Sequence, residues 1–112
     1  IIMVIYKSLE FVLAEVESLD KFGTLYVNRE EWGRAPSNTE IYLLAGDDEL
    51  EDLDVDGNPM LANEYEVQYF FDVEIFQSVI ELQKDNKPES VVDDYIYAIN
   101  YYLGNGDFYE PS

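Results

Sequence analysis

At 112 residues, 47% of them hydrophobic and including ten Tyr, six Phe and one Trp, the chain can build one core but not two, so residues 1–112 read as a single domain. Twenty-five Asp and Glu against six Lys and Arg leave a formal charge of −19, a field that repels nucleic acid, anionic lipid and phosphorylated substrates and attracts a basic partner. With no Cys and no His, the chain lacks disulfides, thiolate nucleophiles, the commonest general base and the commonest zinc ligand, which removes most hydrolase and transition-metal mechanisms.

The elements are predicted in chain order as follows. Met3 to Tyr6 is apolar and β-branched and forms a short first strand; Met3 is the expected start of the protein, with Ile1 and Ile2 additional to it. Ser8 then caps an amphipathic helix whose apolar side is Leu9, Val12, Leu13, Val16 and Leu19, ending near Phe22-Gly23. "TLYVN" from Thr24 and "IYLLA" from Ile41 have strand composition and should pair antiparallel. The intervening "REEWGRAPSNTE" carries the Gly, Pro, Ser and Asn of a loop. Pro59 suits the first turn of a short helix reaching about Asn63. "YEVQYFF" then alternates Val67, Tyr69 and Phe71 against Glu66 and Gln68 as a strand.

Asp72 caps the next helix, Val73 to about Lys84, apolar at Val73, Phe76, Val79 and Ile80. "DNKPES" breaks it, and the last helix starts near Pro88 to Ser90. Its core stripe is Val92, Tyr95, Ile96, Ile99, Tyr102 and Leu103, and Asp93, Tyr97 and Tyr101 lie at four-residue steps on another face. Gly104 supplies the left-handed residue that ends it, and Phe108 is expected to dock back on the domain. The expected fold class is α+β, a single small domain with an antiparallel sheet of three to four strands packed against three to four helices. No apolar run approaches a membrane span or a signal peptide, so a cytoplasmic location is expected.

The stretch "EDLDVDGNPMLANE" imitates a calcium loop, with Asp52, Asp54 and Asp56 at alternate positions and Gly57 next. The bidentate Glu that should close a twelve-residue loop is replaced by Asn63, and position eight is Pro59, which has no N–H to pair with a second loop. No metal and no cofactor is therefore expected. Paired carboxylates such as Asp47-Asp48 and Asp93-Asp94 lack a visible means of separating their pKa values, so no enzymatic activity is expected either.

The acid has a different use in view. From Ala35 to Gln83 there is no Lys or Arg, and thirteen acids are collected there, a one-sidedness that favours a partner over adaptation to salt. Aromatic residues rimmed by charge are what interfaces use as anchors. The candidate partner-binding residues are accordingly Asp47, Asp48, Glu49, Glu51, Asp52, Asp54 and Asp56 in the acid run, Trp32 and Tyr42 beside acidic stretches, and Asp93, Tyr97 and Tyr101 on the last helix. Taken singly, Trp32 and Tyr42 serve equally well to complete the core.

The opening "YKSLEFVLAEV", the strand followed by an acid-rich loop, the "SVIELQKDNKPES" break between helices and the closing "YYLGNGDF" resemble a family of small acidic bacterial domains of uncharacterised function. Some of these look like immunity proteins of toxin systems, including contact-dependent growth inhibition. The likeness runs from Tyr6 to Phe108, departs in the glycines of "GNGDF", and carries no functional residues with it. It implies an antitoxin that acts as a monomer in a 1:1 complex with a basic nuclease toxin domain, a ribonuclease being the expected class, without contacting nucleic acid or membrane. The alternatives are a nucleic-acid mimic that inhibits a nuclease or DNA-binding protein, in which carboxylates replace phosphates, and a small calcium-binding or structural module.

Overall fold

A computed structural model describes residues 2–45, 55 and 60–107. Its strands are β1 (Ile2–Tyr6), β2 (Thr24–Val27), β3 (Ile41–Ala45) and β4 (Gln68–Asp72), and its helices are α1 (Leu9–Ala14), α2 (Arg29–Arg34), α3 (Met60–Glu64), α4 (Val73–Asn86) and α5 (Val92–Asn105). The strands make one fully antiparallel sheet in the order β1-β3-β2-β4, so β2 and β3 pair as expected and the fold is a single α+β domain.

Register assigns the two faces of the sheet, because directly opposed residues share a face. Leu43 and Leu25 lie opposite one another, as do Ile41 and Val27, and they point into the main core. There they meet Leu9 and Val12 of α1, Val73, Phe76, Val79 and Ile80 of α4, and Ala98 and Ile99 of α5, all fully buried or nearly so. The rings of Phe71 and Phe76 pack 5.7 Å apart at its centre. Tyr42 and Tyr26, also opposed, point the other way and join Leu44, Met3, Ala62 and Val67 in a second, smaller cluster on the α3 side.

Several expectations are corrected, each for a local reason. The segment read as a loop contains α2. Asn28 caps it, its Oδ1 accepting the Glu31 N–H at 2.9 Å, and burial of Trp32 outweighs the weak helix propensity of Gly33. With α2 the described helices number five rather than three to four.

The first helix does not run to Leu19. It stops at Ala14 and is followed by a 3-10 turn, Val16–Ser18. Both the N–H and the hydroxyl of Ser18 donate to the Glu15 carbonyl, and the Gln77 side chain donates to the Val16 carbonyl, so these carbonyls are satisfied outside an α-helical ladder. Ser8 does precede α1, but its side chain makes no capping bond.

In β4 the alternation fails at a bulge. Leu25 faces Phe71 and Tyr26 faces Tyr69, which leaves Phe70 as the extra residue; Phe70 and Phe71 are both buried and Tyr69 is exposed. In α5, Leu103 lies outside the core at 46% exposure and Ala98 is inside it. The helix continues past Gly104, and the left-handed residue is Gly106, at φ +68°. Phe108 lies outside the described residues.

Gly23 marks a close approach that sequence alone does not reveal. Its carbonyl accepts the first N–H of α4, from Val73, at 3.1 Å, and a Cβ there would stand 2.7 Å from Leu43 Cδ1 and 3.2 Å and 3.3 Å from the carbonyls of Asp20 and Leu44. Gly23→Ala should therefore destabilise the domain by about 1–3 kcal/mol through overpacking. Gly33→Ala, inside exposed α2 with nothing within 4 Å, should stabilise it by up to about 1 kcal/mol. Urea denaturation of both variants checks the pair, and a neutral Gly23→Ala would contradict the packing described.

Candidate partner-binding surface

The outer face of α5 is built by the same periodicity that builds its inner one. Ala98 and Ile99 anchor the helix in the core, which turns Asp93, Tyr97 and Tyr101 outward, Tyr97 at 58% exposure and Tyr101 at 36%. The three line a shallow hollow whose remaining walls are Ile96 and Asn100. Asn100 is held in place from beneath, since its Oδ1 accepts the Trp32 indole N–H at 2.8 Å. Ile96, read from sequence as part of the core stripe, packs against the core and also lines this hollow, and Asn100 was not singled out; they fall three and seven residues after Asp93, the spacing of one helix face.

Trp32 does not belong to this surface. It is 6% exposed, and its ring packs 4.8 Å from that of Phe70, so it completes the core and supports the hollow from behind instead of anchoring a partner. Tyr42 is half-buried on the opposite face of the sheet, 5.6 Å from the ring of Tyr65. Burial, followed by the negative charge of Glu40 and Glu31, pushes its phenol pKa up. The sheet thus separates Tyr42 from Tyr97 and Tyr101, and one flat partner surface cannot include all three. Asp47, Asp48, Glu49, Glu51, Asp52, Asp54 and Asp56 lie outside the described residues.

A polar concavity lies where α2 and α3 meet the ends of β2 and β4, lined in part by Asn28, Arg29, Glu66 and Gln68. Its groups hold one another. Asn28 donates to the Glu66 carbonyl at 2.9 Å, the Arg29 N–H donates to Gln68 Oε1 at 3.0 Å, and the Arg29 guanidinium donates to the Tyr69 carbonyl. Glu66 itself sits at φ +56°, a left-handed conformation kept by the bond from Asn28 to its carbonyl. These contacts brace the turn between α3 and β4. Among the described residues no group of three or more Asp and Glu is placed to hold a metal ion, and no helix is long and apolar enough to cross a membrane.

The start of α5 carries the one strongly placed carboxylate of this helix. Asp94 Oδ2 accepts the Val91 N–H at 2.9 Å, and Lys87 Nζ lies 3.3 Å from the same oxygen. The Val91 bond, helped by Lys87 against partial desolvation, holds the Asp94 carboxyl below its usual value. A carboxyl whose pKa is lowered on folding stabilises the fold above its unfolded value of about 4, and that stabilisation disappears as pH falls through the lower folded value. Asp94→Asn should therefore lower Tm at neutral pH, and the two Tm curves should converge on acidification below about pH 4. Thermal melts across this range measure it; a gap that persists undiminished in acid would show that the cap does not act through charge.

The fold and surface together define a small α+β domain whose exposed helix face offers tyrosines beside a carboxylate. The chain belongs to the DUF7716 family, described as a domain of unknown function, whose family model matches residues 4–110. No curated protein and no solved structure matches the chain.

Proposed function

We propose that this domain is a non-enzymatic immunity protein that binds a basic nuclease toxin domain of the ribonuclease class and neutralises it in a 1:1 complex in the cytoplasm. The observation that carries the reading is the segregation of charge: 25 acids against six bases, with no base between Ala35 and Gln83. A nuclease must be basic to hold phosphates, so a protein inhibitor gains both encounter rate and selectivity by offering carboxylates in their place. The hollow formed by Asp93, Ile96, Tyr97, Asn100 and Tyr101 supports it with the amphipathic aromatic contacts that slow dissociation.

Co-expression with the protein encoded directly upstream, followed by purification and a ribonuclease assay of the released partner, tests the proposal. The expected result is a stoichiometric complex and full inhibition on adding the domain back. Absence of a complex with that neighbour, together with inhibition of an unrelated nuclease or DNA-binding protein, would favour the nucleic-acid mimic instead.

A further inference from the structure

The two edges of the sheet are unequal. The β4 edge is guarded: it contains the bulge at Phe70, the Tyr69 carbonyl accepts two bonds from the Arg29 guanidinium at 3.0 and 3.3 Å, and the Asp72 N–H donates to the Tyr69 hydroxyl at 3.1 Å. Among the described residues the β1 edge has none of these devices. Its five residues, IMVIY, contain no charge and no Pro, they pair with β3 in unbroken register from Ile2–Ala45 to Tyr6–Ile41, and among the described residues β1 has a strand neighbour on one side only. Natural sheets normally blunt an edge with charge, proline, a bulge or a cover. Here Val4 and Ile5 are instead 39% and 43% exposed, one on each face of the sheet.

From this asymmetry we propose that β1 is a docking edge that accepts an extended segment of a basic partner protein as a fifth, antiparallel strand. Main-chain bonds to the open side of β1 would hold the segment, and its alternating apolar side chains would cover Val4 and Ile5. Charge complementarity selects the occupant. Two copies at −19 repel each other, which disfavours β1 pairing with itself. Ile2 lies beside Ala45, two residues before Asp47, where the acid run begins in the sequence. An antiparallel guest therefore brings its carboxyl end to the Ile2–Ala45 end of the sheet, and beside a chain at −19 Lys or Arg is favoured there. This deepens the immunity reading by naming how the basic partner is gripped, and it rests on that reading for the partner's charge.

The test uses a short synthetic peptide of alternating valine and threonine ending in lysines at its carboxyl end, titrated into the full chain and followed by NMR. Amide resonances of Met3 to Tyr6 should shift and their hydrogen exchange should slow. An otherwise identical peptide N-methylated at alternate residues cannot complete the ladder and should bind roughly tenfold more weakly or worse. Ile5→Lys should weaken binding by a similar factor. Phe22→Lys, the same charge change at an 89% exposed residue outside the strands, should not. If the N-methylated peptide binds equally well, charge alone is responsible: the β1 edge is refuted while the basic-partner reading stands. Absence of binding by either peptide, or self-association of the chain through β1 in sedimentation, refutes the docking edge as well.

Discussion

Trp32→Ala should lose about 3–5 kcal/mol of folding stability, because it removes a buried indole from contact with Phe70 and leaves a cavity between α2, β4 and α5. Against a total of about 5–15 kcal/mol for a domain of this kind, that is enough to leave the variant partly unfolded at room temperature. Trp32→Phe keeps most of the packing and should lose less, chiefly the 2.8 Å bond to the exposed Asn100, worth about 1 kcal/mol. Tyr97→Ala, on the outer face of the same assembly, should stay within about 0.5 kcal/mol of the parent. Urea denaturation followed by circular dichroism ranks the three. In the parent, the emission of Trp32, the one tryptophan of the chain, should shift to the red on unfolding. If Trp32→Ala melts like the parent but Tyr97→Ala does not, the roles assigned to the two aromatics are reversed.

The second large effect concerns the proposed partner, and it should divide residues by kinetics. Replacing Asp47, Asp48, Glu49 and Glu51 by Asn or Gln removes long-range attraction, so the association rate should fall and lose its dependence on salt, since charges are screened over roughly 8–10 Å at physiological ionic strength. Dissociation should change little. Tyr97→Ala or Tyr101→Ala should instead raise the dissociation rate, by a factor of about 30 for a hot spot worth 2 kcal/mol, with the association rate nearly unchanged. Surface plasmon resonance against the proposed partner, as isolated by co-expression, at several salt concentrations reads both. An association rate indifferent to the acid run would remove electrostatic steering from the account, and Tyr variants that dissociate like the parent would move the contact off α5.

Periodicity along the chain was enough to specify most of the architecture. Leu9 and Val12, the four apolar residues of α4 and Ile99 of α5 are buried as their spacing requires, because a helix or strand of this composition has one way to hide its apolar side. The charge, the missing Cys and His, and the outward stripe Asp93, Tyr97 and Tyr101 were equally legible, since each depends on residue type or on the geometry of a single helix. What escaped depends on contacts between distant segments. Gly33 and Pro36 made residues 29 to 40 read as loop, and only the meeting of Trp32 with Phe70 and Asn100, 38 and 68 residues away in sequence, makes Arg29–Arg34 a helix and that tryptophan a core residue. The bulge at Phe70 is likewise decided between β2 and β4, and it turns Tyr69 outward where strict alternation would bury it. The separation of Tyr42 from Tyr97 and Tyr101 by the thickness of the sheet follows from strand order and register, which depend on the pairing of β1 with β3 across the whole of α1 and β2. The same pairing decides that β1 is an edge. A sequence records which residues prefer to be inside, but which side of the sheet they share is decided only when the strands meet.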